Sequence, residues 1–126
     1  MPQYLLSLPH GTDESPTLES MDPAEAEAAM AAAGAFIEAL MSSGAFRFAG
    51  GLHPPATAVT VDNTGAQLQR TAGPYVEAPE YLGGFWVIEV ADQGTAVDWA
   101  AKASRALESR VEVRAVQEAP TDDAQA

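Results

Sequence analysis

The chain has no cysteine, so chemistry near neutral pH falls to two histidines, to carboxylates, and to tyrosines and other hydroxyls. His53 with Glu77 is the best pair for moving a proton. A neutral imidazole, with a reference pKa of about 6.5, gives or takes a proton near pH 7, and a neighbouring anion raises that value. The alternative for His53 is a loop residue held by a backbone carbonyl ahead of Pro54. Glu77 ends the run Gly73-Pro74-Tyr75-Val76-Glu77, where glycine and proline impose an unusual backbone path. It is either an acceptor for a ligand amine or the cap of a short turn through Ala78-Pro79-Glu80-Tyr81. Tyr75 is suited to lining an apolar pocket or stacking on a ligand. His10, Asp13 and Glu80 complete the set of polar candidates, His10 doubling as an ordinary turn residue. His10 and His53 are too far apart in sequence to form a metal motif, and no metal or cofactor is expected. Nothing resembles a phosphate loop, a nucleotide fingerprint or a nucleophile elbow.

Composition narrows the partners. The 126 residues suit one domain, which at this size buries roughly two-thirds of its unfolded surface. Eighteen acids against six bases give a formal charge of −12, with no Lys or Arg before Arg47. Such a field repels phosphate backbones, which argues against nucleic acid and leaves solubility, a cationic ligand or a basic partner as its uses. The apolar N-terminal run Tyr4 to Leu8 is too short for a bilayer and follows no basic segment, so the expectation is a cytoplasmic protein with no membrane span.

The elements that must position these residues follow from pattern. Tyr4 to Leu8 reads as a first strand, followed by an irregular acidic loop through Ser20. Asp22-Pro23-Ala24-Glu25 caps a helix. Its apolar stripe is read as Met30, Ala33, Ile37, Leu40 and Met41, and Gly44 stops it. Ala45 to Leu52 is a second strand, in which Gly50-Gly51 suggests a bulge or a close backbone approach. Thr57–Val61 and Gln67–Thr71, joined through Asp62-Asn63-Thr64-Gly65, form an inserted hairpin. Gly84 to Val90 is apolar on both faces and so the central strand, with Trp86 in the core. Asp92 caps a second helix that buries Ala96, Trp99, Ala100, Ala103 and Leu107. Val111 to Val116 is the last strand, and residues 119–126 are expected to be a disordered tail after a single domain over residues 1–118.

The order strand, helix, strand, hairpin, strand, helix, strand is a ferredoxin-like α+β arrangement, βαββαβ with an inserted β-hairpin. Its helices cover one sheet face and leave the other bare, which predicts a homodimer. In that topology the first two core strands run parallel with the third opposite between them. One sheet rim then collects His10, Asp13, His53, Tyr75, Glu77 and Glu80.

Three blocks carry a likeness to known proteins: Phe48-Ala49-Gly50-Gly51-Leu52-His53-Pro54-Pro55-Ala56-Thr57-Ala58-Val59-Thr60-Val61, then Gly73-Pro74-Tyr75-Val76-Glu77, then Leu82-Gly83-Gly84-Phe85. They resemble the YCII-related superfamily, in the branch named for an Asp-Gly-Pro-Phe motif. The resemblance implies a dimeric α+β barrel with a cleft built around that motif, to which Gly73 and Pro74 belong. Relatives encoded beside, or fused to, extracytoplasmic-function sigma factors add a regulatory role to the expectations. Ala72 stands here where the motif has aspartate, and Tyr75 where it has phenylalanine. The resemblance implies that relatives nearer the founding member pair a first-helix histidine with an aspartate, yet residues 23–43 hold no histidine. Two functions follow as expectations: a small-ligand-binding or enzyme-like homodimer, or a non-catalytic module that engages a sigma factor or another basic protein.

Overall fold

A computed structural model describes residues 1–11, 22–76 and 78–118. Asp13, Glu77, the expected loop before Asp22 and the expected tail lie outside the described residues. The elements run β1 (Gln3–Gly11), α1 (Pro23–Ser43), β2 (Phe46–Gly51), β3 (Val59–Asp62), β4 (Gln69–Ala72), β5 (Glu80–Glu89), α2 (Gln93–Leu107) and β6 (Glu112–Ala115). The fold is α+β: two helices and a four-stranded antiparallel sheet of order β2-β5-β1-β6, with β3 and β4 forming a separate hairpin. Both β1 and β2 pair antiparallel with β5, so they run parallel to each other on either side of it.

Capping chemistry sets the helix ends. The Asp22 carboxylate accepts from the Ala24 N–H at 3.2 Å, and Pro23, which has no N–H to satisfy, fills the first helical position. Gly44 closes α1 in the left-handed region at φ 82° and donates its N–H to the Met41 carbonyl. Asp92 Oδ1 accepts from both the N–H and the hydroxyl of Thr95, each at 2.8 Å. These two bonds hold its carboxyl below the usual carboxylate range.

Both helices pack on one sheet face, where Tyr4, Leu6, Trp86, Ile88 and Val90 meet Phe36 and Leu40 of α1 and Ala96, Ala100 and Ala103 of α2. The alanines let α2 sit close to its neighbours. Phe36 fills the space between them edge-on, its ring centroid 5.2 Å from that of Trp86 and 6.2 Å from that of Trp99. The α1 stripe is rotated from the expected one. Half-buried Ala26, Ala29 and Ala33 lead to buried Phe36 and Leu40, while Met30 and Met41 stay 60% and 57% exposed. The expected stripe followed the row of larger apolar residues at one edge of the packed face. Ala33, Ile37 and Leu40 of the expected stripe do lie on the packed face, whose most buried members are Phe36 and Leu40.

Two register shifts decide which side chains reach the opposite, open face. In β2 the extra residue is Arg47: Phe46 lies opposite Ile88 and packs on the core, whereas Phe48 lies opposite Val87 and stands 59% exposed. Arg47 itself donates to Glu89 Oε2 at 2.8 Å and to the carbonyls of Gly44 and Phe46, and its hydrogen bond holds the Glu89 carboxyl below the ordinary range. In β5 the extra residue is Gly83, since Leu8 pairs with Gly84 and Pro9 with Leu82. Leu82 and Glu80 thereby fall into step with Pro9 and Gly11, on the side of Leu5 and Ser7. The glycine pair at 50–51 makes no bulge. It is a site of close approach instead, because a Cβ on Gly50 would lie 3.2 Å from the Phe85 ring.

Candidate functional site

Three segments are drawn together beside the hairpin by backbone bonds. Leu52 donates its N–H to the carbonyl of the bulged Gly83 at 2.8 Å, which ties the chain leaving β2 to the start of β5. Pro54 and Pro55 then close a single 3₁₀ turn over Pro55–Thr57, with the Thr57 N–H and hydroxyl both donating to the Pro54 carbonyl. That turn takes in Thr57, the first residue expected in the hairpin, and β3 starts at Val59. Across the hairpin base, Gly73 donates its N–H to the Ala58 carbonyl at 2.7 Å, and the Thr60 hydroxyl donates to the Gly73 carbonyl at 2.9 Å. Gly73 holds φ at 105°, a conformation open to glycine and strained for other residues. The Ala78 N–H donates to the Tyr81 hydroxyl at 2.7 Å, so this phenol fastens the return of the 74–78 segment onto β5.

Between these segments lies a groove of about 600 Å³ lined by Leu52, His53, Pro54, Pro55, Thr57–Thr60, Pro74, Tyr75, Val76, Ala78 and Glu80–Leu82. Of the residues singled out in the sequence, His53, Pro74, Tyr75 and Glu80 share it, and Gly73 braces its wall. His53 is exposed and, among the described residues, makes no side-chain hydrogen bond, so no backbone carbonyl fixes it there. Tyr75 stands at the mouth, 88% exposed. Glu80 receives a hydrogen bond from the Arg110 guanidinium through Oε2, an ion pair at the border with a second groove that holds Arg110, Arg114 and Ser7. His10 is a β1 residue whose backbone lies opposite Tyr81, at the end of β5 that enters the groove. The partner proposed for His53, Glu77, lies outside the described residues.

Sequence reasoning overlooked Tyr81, the two prolines as walls, and Thr60. Tyr81 was hidden because Ala78-Pro79-Glu80-Tyr81 reads as a turn, whereas β5 already begins at Glu80.

The positive φ at Gly73 gives a direct test of this architecture. Gly73→Ala should destabilise the fold by about 1–3 kcal/mol, the cost of holding an L-residue in such a conformation. Gly51→Ala, where a Cβ meets nothing within 4 Å, should be close to neutral. Urea denaturation of the two variants checks the contrast, and equal effects would reject strain at Gly73.

Among the described residues no helix is long and apolar enough to cross a membrane. No curated protein matches the chain. Residues 9–120 match the YCII-related domain, a span that takes in both helices, the hairpin and every segment of the groove. The chain therefore belongs to the YCII-related domain family.

Proposed function

We propose that this protein is a small-ligand-binding or enzyme-like homodimer of ferredoxin-like subunits, with its ligand in the groove beside the degenerate motif Ala72-Gly73-Pro74-Tyr75. The observation that carries the reading is the groove itself. Its walls come from three chain segments held by specific hydrogen bonds, and its volume of about 600 Å³ is in the range of small-molecule sites. His53 supplies an imidazole with no competing partner among the described residues, and Glu77, three positions before Glu80, is the carboxylate proposed to serve with it in proton transfer.

The open sheet face supports the dimer. Phe48 stacks on Phe85 at 5.7 Å between ring centroids, and Val87, Leu5 and Leu82 extend this apolar surface across the sheet. The hairpin adds exposed Val59 and Val61. Two short strands alone are marginal in water, so cover from a second subunit would stabilise them. Two sheets facing each other in this way make a dimeric α+β barrel.

A thermal-shift screen against metabolites tests the ligand reading. A compound that binds at a hundred times its Kd adds about 2.7 kcal/mol to stability and raises the melting temperature measurably. His53→Ala and Tyr75→Ala should each abolish that rise and leave the far-ultraviolet circular dichroism unchanged, because both side chains are exposed. Ligand shifts that survive both substitutions reject this groove as the site.

A further inference from the structure

Resting on the groove as the ligand site, we infer that its ligand is a flat aromatic molecule bearing an amine, and that acids with the same ring are discriminated against. The lining includes three prolines and two tyrosines. Pro54, Pro55 and Pro74 present rigid apolar surfaces at little entropic cost, and Tyr75 holds an aromatic face almost fully open to solvent at the mouth. Such walls favour a planar ring.

Charge then selects among planar rings. Among the described residues no lysine or arginine lines this groove. The Arg110 guanidinium is engaged with Glu80 and lines the neighbouring groove instead. A carboxylate or phosphate entering here would lose water and gain no cation, inside a molecule whose net charge is already −12. An ammonium meets the opposite situation. Tyrosine faces attract cations, and Glu80 uses only Oε2 for Arg110, leaving Oε1 without a partner among the described residues.

Three probes that share a phenol ring and differ in charge make the test: tyramine, para-ethylphenol and para-hydroxyphenylacetate. Each is titrated into the full-length protein at neutral pH and moderate salt, with affinity read from protein chemical shifts. Tyramine should bind most tightly and the acid most weakly, with about two- to fivefold between them, the range of a cation–π contact at an exposed ring. Glu80→Gln should bring tyramine down to the affinity of para-ethylphenol and leave para-ethylphenol itself unchanged. Equal affinities for all three probes, lost together in Tyr75→Ala, would overturn the charge preference and leave the groove standing. Affinities unaffected by both Tyr75→Ala and His53→Ala would overturn the groove as the site, and no binding by any probe at millimolar concentration would overturn the ligand class.

Discussion

Ile88→Ala should lower the unfolding free energy by about 2–5 kcal/mol, a large part of the roughly 5–15 kcal/mol that holds a domain of this size. Ile88 is fully buried near the C-terminal end of β5, opposite Tyr4 on one side and Phe46 on the other, in the cluster that contains Leu6 and Leu40. Removing its outer carbons leaves a void among residues fixed by sheet pairing, so little collapse can offset the lost burial. Met30→Ala provides the contrast, because a methionine 60% exposed on α1 should cost within about 0.5 kcal/mol. In urea titrations the first variant should move the midpoint strongly at constant slope and the second hardly at all. A costly Met30→Ala with a mild Ile88→Ala would mean that α1 packs through the row of methionines and that the rotation of its stripe is wrong.

That rotation illustrates what can be read from a sequence like this one. Caps are local, and both were legible: Asp22 with Pro23, and Asp92 with Thr95, carry their geometry in two or three adjacent residues. The central place of β5 was legible too, because its apolar residues occupy both faces. What alternation conceals is a register shift. Phe46 and Phe48 look like partners on one face, and only the extra residue at Arg47, anchored by Glu89 and two carbonyls, sends them to opposite sides. Gly83 does the same for Leu82 and Glu80. Its neighbour Gly84 advertised flexibility, but two adjacent glycines do not say which of them bulges.

The groove was legible to the same degree and for the same reason. Bringing His53 to the motif segment required only the strand order, with β1 and β2 flanking β5, and that order followed from the succession of elements. The fine structure depended on long-range bonds that no local pattern announces. Leu52 is tied to Gly83 across the sheet, Thr60 to Gly73 across the hairpin, and Glu80 to Arg110 in the connection before β6. Glu80 therefore enters the site as half of an ion pair.

If the proposed homodimer forms through the open sheet face, Phe48→Asp should leave a monomer. Phe48 lies on the open face, 59% exposed in a single subunit, so the substitution removes one ring stack on Phe85, worth about 0.5–1.5 kcal/mol, and leaves the buried core intact. Its effect on assembly is far larger. In a twofold interface each subunit presents the same surface, so one substitution introduces two carboxylates and removes two aromatic rings from the contact. No arginine is positioned to receive the new charge from the same strand, since Arg47 is already bound to Glu89. Light scattering after size exclusion should report twice the chain mass for the wild type and the chain mass for the variant. The wild type should also melt at a temperature that rises with protein concentration, a dependence the variant should lose. Val97→Asp, on exposed surface of α2, adds the same charge away from the sheet and should leave the dimer whole. A wild type monomeric at every concentration, or a Phe48→Asp variant that still dimerises, would remove the open sheet face as the interface and leave the hairpin without the cover its exposed valines require.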